Sequence, residues 1–229
     1  MRTLKKLQCR AMLLFIVLAG TIGTVSGQKL HMGLFLDPLV GWYASDNNKV
    51  SSHGSKAGLA TGVSANWYFS TNYAFSGGFT FMRTGGVQSY SEEVTMLFSN
   101  FSSIVLPGQK VSYTADYFIF PVGLKLRSNQ IGYFNIVSDF GLDPGFLNKG
   151  KISIPALDIE DETASKELRS GVLGFHIQVG AEYSLGGTTS LNFGLGYEGS
   201  FSDVTVDNAG QPSDKTRNRI IRLHLGLYF

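Results

Sequence analysis

Four histidines, one cysteine, 17 acidic and 19 basic residues are the groups of this 229-residue chain that could move protons, attack a carbonyl or hold a metal. Serine hydrolysis needs a hydroxyl within hydrogen-bond reach of a base, in a place that substrate can enter. No Gly-x-Ser-x-Gly turn occurs, and His31 and His53 stand alone in sequence. No pair of histidines has metal-ligand spacing. Asp46-Asn-Asn48 could suggest calcium, but a polar surface turn is the commoner meaning of such a run. Gly194-Leu-Gly196 lies inside a strand-like pattern and is no phosphate loop. The expectation is no enzyme, no catalytic site, no metal and no cofactor.

His176 and His224 belong to a different pattern. Phe175, Ile177, Val179, Ala181 and Tyr183 alternate with His176, Gln178, Gly180 and Glu182. Leu191, Phe193, Leu195 and Tyr197 alternate with Asn192, Gly194, Gly196 and Glu198; Ile221, Leu223, Leu225, Leu227 and Phe229 alternate with Arg222, His224, Gly226 and Tyr228. A period of two with one wholly apolar face predicts β-strands. The same alternation recurs around 63–69, 75–81, 118–126 and 134–140, and a less regular first strand with Pro38 spans about Leu30 to Tyr43, giving eight strands.

The polar face decides the architecture. It carries glycine and isolated His, Asn, Gln, Glu and Arg rather than the Lys, Glu, Thr and Ser of a water-facing sheet. Glycine is costly on an exposed strand but useful where facing walls come close. That points to an antiparallel up-and-down transmembrane β-barrel, greasy outside and polar inside, over a soluble sandwich. The joins sort the same way. Ser70-Thr71-Asn72, Ser128-Asn129-Gln130 and Gly186-Gly187-Thr188 are tight turns; Ser45–Lys56, Thr84–Val111, Asp143–Ser170 and Ser202–Thr216 are long. Short turns on one side and long loops on the other predict periplasmic termini.

An eight-stranded barrel is just wide enough for its side chains to fill it. The expected lumen set is Asp37, Asn66, Lys125, Arg127, Asn135, Asp139, His176, Gln178, Glu182, Asn192, Glu198, Arg222 and His224, with an Arg222–Asp37 contact across the closing seam, shared with Glu198. Opposite charges inside must pair, which predicts a plugged core rather than a permeation path. The apolar run Val94–Pro107 is expected to extend the flanking strands above the membrane, the other reading being a partner-docking loop. Asp158–Glu162 reads as solvated charge, with room for a short helix in Thr163–Arg169.

Arg2, Lys5, Lys6 and Arg10 precede an apolar stretch from Ala11 to Ala19 and the small residues Val25-Ser26-Gly27, the layout of a signal peptide over 1–27. Processing would remove Cys9 and leave 15 Lys and Arg against 17 Asp and Glu, a sign that argues against nucleic acid as a partner. The barrel is then expected over 28–229, in the outer membrane.

Taken in order, Asn72-Tyr-Ala-Phe-Ser-Gly-Gly78, Tyr117-Phe-Ile-Phe-Pro-Val-Gly-Leu-Lys125, Ser128-Asn-Gln-Ile-Gly-Tyr133, Gly180-Ala-Glu-Tyr-Ser-Leu-Gly-Gly187 and Leu225-Gly-Leu-Tyr-Phe229 resemble the PorT-like outer-membrane β-barrel family of Bacteroidetes. The resemblance implies an eight-stranded outer-membrane barrel in a Gram-negative host. Its name-giving member serves type IX secretion and gliding-related export. Family strands often carry Glu where this chain has Ile119, so Lys125 needs another partner. Leu225, Leu227 and Phe229 look like the terminal-strand signal read by the barrel-assembly machinery. The functional expectation is a non-enzymatic barrel, structural or accessory to an outer-membrane assembly such as type IX secretion, touching outer-membrane lipid and, through its long loops, secretion or surface components. The alternatives are a small-solute channel and a lipid-modifying enzyme.

Overall fold

Strict alternation lets each strand present one face to hydrocarbon and the other to a closed interior, and closure leaves no edge with unpaired backbone groups. The computed structural model describes residues 30–208 and 210–229. The expected signal segment and Cys9 lie outside the described residues. In chain order the strands are β1 (Leu30–Ala44), β2 (Val50–Ser70), β3 (Tyr73–Tyr90), β4 (Val94–Leu97), β5 (Ser102–Val105), β6 (Lys110–Ile119), β7 (Val122–Arg127), β8 (Phe134–Ile154), β9 (Ile159–Thr163), β10 (Gly171–Gly186), β11 (Thr189–Ser200) and β12 (Arg217–Tyr228). No helix among the described residues is long and apolar enough to cross a membrane.

The wall is an eight-membered antiparallel ring: β1, β2, β3, β6 with β7, β8, β10, β11, β12 and back to β1. Strands β6 and β7 are one wall strand broken at Phe120-Pro121, because proline has no N–H to give to the ladder. Pro121 still accepts from Gly78 N at 3.2 Å, and Phe120 N donates to Pro144 O at 2.9 Å, so the break is stitched to both neighbours. The seam is ordinary antiparallel pairing, from Gly33 opposite Tyr228 to Ala44 opposite Arg217. Both ends of the described chain lie with the tight turns, where Met32 and Phe229 exchange backbone hydrogen bonds of 3.0 and 2.8 Å. The Gly186-Gly187 turn runs through φ values of 105° and 62°, which glycine adopts without strain. The expected Ser128–Gln130 turn is wider, reaching Tyr133, with Gly132 at φ 63° and an Ile131–Phe134 bridge.

Three of the four expected long loops begin or end as wall strand: 50–56 belongs to β2, 84–90 to β3 and 143–154 to β8. β2 and β8 have 21 residues each and β3 has 18. A tilted strand needs only about 9–11 residues to cross hydrocarbon, so each continues well past it. Only 202–216 stays largely irregular.

The 94–107 run does not extend the flanking strands, as expected from sequence; it folds back as the separate hairpin β4–β5. Val94, Met96, Phe98 and Val105 are buried in one apolar cluster with inward residues of the upper wall, among them Leu39, Tyr43, Tyr113, Ile152 and Ile220. Burying four such side chains is worth roughly 1.5–3 kcal/mol each. That exceeds what solvated strand extensions could recover, and it explains why the run is apolar. The opposite face, with Phe101, Ile104 and Leu106, is exposed.

Candidate functional site

Along one strand the two faces exchange character. On β8, Ile136, Phe140, Leu142 and Phe146 point outward with Asn135, Asp139 and Asp143 inward; farther along, Lys149, Lys151 and Ser153 are outward and Ile152 and Ile154 are fully buried. On β3, Phe75 and Phe79 give way to Arg83 outside, while Ser76 and Thr80 give way to Met82 and Tyr90 inside. The crossover is a single hydrogen-bonded row, Leu59–Arg83–Asp116–Lys149, running across four strands. Below it the outer wall carries two aromatic bands. One lies by the tight turns, where Trp67 stacks on Phe75 and Phe134 meets Tyr183; the other lies under the row, where Phe79 and Phe81 pack on Phe118 and Phe120 meets Phe146. An apolar belt between two aromatic girdles is the surface that a bilayer selects.

Inside that belt the polar residues form three groups. At the seam, Arg222 Nη1 lies 2.6 Å from Glu198 Oε1 and 3.7 Å from Asp37 Oδ2. Asp37, wholly buried, also meets His224 Nδ1 at 3.0 Å and accepts from Leu225 N at 3.1 Å. The register sets Arg222 opposite Leu39 rather than Asp37, so Glu198 takes the short contact and Asp37 is shared with His224. In the middle group, His176 Nδ1 is 2.8 Å from Asp143 Oδ1 and its Nε2 is 3.4 Å from Asp139 Oδ1, which also accepts from Ser76 Oγ at 2.8 Å. Carboxylates only accept, so both imidazole contacts are satisfied only by the doubly protonated ring. Toward the tight turns, Glu182 lies 3.7 Å from Lys125 Nζ and 3.5 Å from Arg127 Nη2; Arg127 donates to Asn135 at 3.1 Å. Lys125 also sits 4.4 Å over the Tyr228 ring.

Asp37, Asp139, Asp143, Glu182 and Glu198 thus face Lys125, Arg127 and Arg222, with His176 set between Asp139 and Asp143 and His224 beside Asp37. Among the space left is a cavity of about 60 Å³ lined by Asp37, Asp139, His176, Glu198 and Arg222. At roughly 10–15 Å³ of such volume per molecule, that is room for a few waters and nothing larger. Asn66 Nδ2, Asp143 Oδ2 and Arg222 Nε, buried without protein partners, belong to residues at this core. The wall is as close as the glycine content implies: a Cβ on Gly141 would fall 2.9 Å from His176 Cε1.

Sequence reading missed Asp143, which it had placed at the start of a loop. Extending the alternation Asn135, Asp139, Asp143 by one more step would have found it. It also did not single out Glu167, within the Thr163–Arg169 stretch given room for a short helix. Glu167 is buried in the 3₁₀ turn Ser165–Glu167, accepting from Leu97 N at 2.7 Å and Gln211 Nε2 at 2.8 Å. Burial raises its carboxyl above the ordinary 4.5. It clamps β4 to the 202–216 loop over the mouth. Beneath that clamp Tyr90 and Tyr113 share a 2.7 Å hydrogen bond, and burial holds both phenols well above their usual range. The Asp158–Glu162 run, entering β9 at Ile159, is mostly exposed, as solvated charge should be. Leu225, Leu227 and Phe229 are exposed on the outer wall of β12 and at its end.

Ring closure, the apolar belt and the ionic interior define an eight-stranded outer-membrane β-barrel protein. The sequence comparison agrees: residues 21–206 match the family described as outer membrane protein beta-barrel domain, and the chain belongs to that family. Its outward belt accordingly contacts outer-membrane lipid. Among solved structures it is similar to Neisserial surface protein A, at 12% identity over 87% of this chain and 95% of that one, with a TM-score of 0.51. Ail of Yersinia pestis (14% identity, 88% and 100% covered, TM-score 0.43) and OprG from Pseudomonas aeruginosa (9%, 88% and 95%, 0.44) also match. At these identities the likeness concerns the fold alone. No curated protein sequence matches the chain.

Proposed function

We propose that this chain is a non-enzymatic outer-membrane barrel whose lumen is a structural plug, exported by a cleaved signal over 1–27, with its termini in the periplasm and its long-strand end at the cell surface. The observation carrying this reading is the filled interior: paired ions below, with a cavity for a few waters among them, and a packed apolar core above. Ser76 donates to Asp139 and not to an imidazole, so its hydroxyl is not arranged as a nucleophile, which speaks against a lipid-modifying enzyme. A small-solute channel would need the β4–β5 hairpin to leave the mouth and the ion pairs to part. Planar-bilayer recording tests the plug: no steady unitary conductance is expected, and a reproducible open level would overturn it.

The finer role, an accessory component of type IX secretion, rests on the PorT-like sequence stretches, including the Tyr117–Lys125 strand. Biogenesis through the barrel-assembly machinery, with Leu225, Leu227 and Phe229 as the terminal signal, rests on the same footing and on the outward stripe of β12. A deletion strain with impaired secretion of surface cargo supports the type IX role; normal secretion assigns the barrel to another assembly.

A further inference from the structure

The outer wall above the crossover row has a feature that the plugged lumen does not explain. Lys56, Arg83, Lys149 and Lys151 converge from β2, β3 and β8 on a cleft of about 250 Å³. Only two carboxylates, Asp116 and Asp161, line it, leaving two positive charges in excess on a chain whose expected mature form is negative. The floor is rigid. Arg83 holds Asp116 through two hydrogen bonds of 2.7 and 2.9 Å, and Lys56 Nζ donates to Thr114 Oγ1 at 2.7 Å. Lys151 reaches Asp161 at only 3.4 Å, and Lys149 has no carboxylate within 4 Å among the described residues.

Position supplies the ligand. The cleft is on the lipid-facing side of the barrel, directly above the Phe79–Phe118 and Phe120–Phe146 aromatic contacts, at the depth where hydrocarbon ends and headgroups begin. Register irregularities at Ser55/Leu59 in β2 and at Asp116/Tyr117 between β6 and β8 fall at this level. Cations on the outer wall at that level lie within reach of headgroup phosphates at the water boundary. Asp161, mostly exposed at the rim and held by Ser153 Oγ through its own N–H at 2.9 Å, can accept from sugar hydroxyls.

We propose that this cleft binds the phosphate of a phosphorylated glycolipid in the outer leaflet, with Lys149, Lys151 and Lys56 on the phosphate oxygens and Arg83 fixed by Asp116 as its floor. The proposal rests on the surface orientation given above, and its test separates the two. The refolded full chain in detergent is mixed with diphosphorylated lipid A, with the same lipid stripped of phosphate, or with phosphatidylglycerol, and retained lipid is counted by native mass spectrometry. Preferential retention of the diphosphorylated form is expected. Equal retention of the stripped form overturns the site, and a preference for phosphatidylglycerol overturns the glycolipid assignment.

The triple variant Lys56→Gln/Lys149→Gln/Lys151→Gln is expected to bind the diphosphorylated lipid about 10- to 100-fold more weakly, as removal of three cations near an anionic surface should do. The control Arg217→Gln/Arg219→Gln, altered on β12, is expected to change binding less than about threefold. An equal loss in both points to diffuse charge and overturns the cleft. Wild-type binding must also weaken as salt rises, a readout independent of whether the triple variant folds; salt-independent binding overturns the phosphate contact. Asn100→Cys, in a Cys9→Ser background, settles orientation with a membrane-impermeant maleimide. Labelling of intact cells without phosphate preference sinks the site alone; labelling only after lysis sinks the orientation and, with it, the outer-leaflet source.

Discussion

The two halves of the barrel interior are built as different materials. The half inside the apolar belt is ionic: its carboxylates, guanidinium, ammonium and imidazole groups pair across a narrow tube and leave a cavity for a few waters. The half above the crossover row is a soluble-protein core turned inward, with Tyr43, Met96, Tyr113, Ile152 and Ile154 essentially inaccessible. The solvent outside explains the difference. Where hydrocarbon surrounds the wall, apolar side chains face it and polar ones are left for the lumen; where water surrounds the wall, Lys149, Lys151 and Ser153 face out and apolar residues fill the tube. The hydrophobic effect therefore drives the upper plug, whereas the lower one depends on charge pairing at low dielectric.

The comparison breaks first at its ion pairs. Arg222→Ala leaves Glu198 and Asp37 buried without their guanidinium and should cost about 3–5 kcal/mol in folding titrations into lipid vesicles. A cost equal to that of a surface substitution would mean that the lower half is not held by charge. Leu195→Arg, on the outward face of the belt, should obstruct membrane folding by roughly 2–4 kcal/mol, while Ser153→Arg above the row should be nearly neutral. Similar costs at both sites would erase the boundary.

In the upper half, Glu167→Ala removes the acceptor of Leu97 N and Gln211 and should loosen the hairpin by about 1–3 kcal/mol, read by proteolysis at 94–107. Because burial raises the Glu167 carboxyl, the folded clamp holds a proton more tightly than the unfolded chain does. Its stability should therefore rise as pH falls toward 4.5 and decline as pH rises through the folded value, a dependence that Glu167→Gln removes. A small effect is expected at Arg83→Ala: it grips Asp116 through two hydrogen bonds, but the arginine side chain is 56% exposed. A loss of about 0–1 kcal/mol is expected there.

The wall was legible in the sequence because hydrocarbon and a narrow lumen impose an unbroken period of two. Leu191 to Glu198 and Ile221 to Phe229 show it residue by residue, and the inward set containing Asp37, Lys125, His176 and Arg222 follows from it. Pairing within that set was less legible, since barrel shear fixes which inward residues share a level; Asp37 lies two positions from the residue opposite Arg222. Least legible was the region beyond the belt. There the polarity of the faces reverses, so Lys149 and Lys151 read as loop, and Val94–Pro107 as an extension of its flanking strands, under the rule that held below. Asp143 lies just short of that change and still obeys the rule below it, whereas Glu167 lies in a 3₁₀ turn beyond it.

The reversal itself can be measured directly. Single cysteines at Phe140, Leu142, Phe146, Lys149, Lys151 and Ser153, in a Cys9→Ser chain refolded into lipid vesicles, can carry a fluorophore whose quenching by lipid-borne and by aqueous quenchers is compared. Lipid quenching is expected at 140, 142 and 146, changing to aqueous quenching at 149, 151 and 153. Lipid quenching that continues through Lys151, or aqueous quenching at Phe140, would contradict a barrel whose two halves are folded by different solvents.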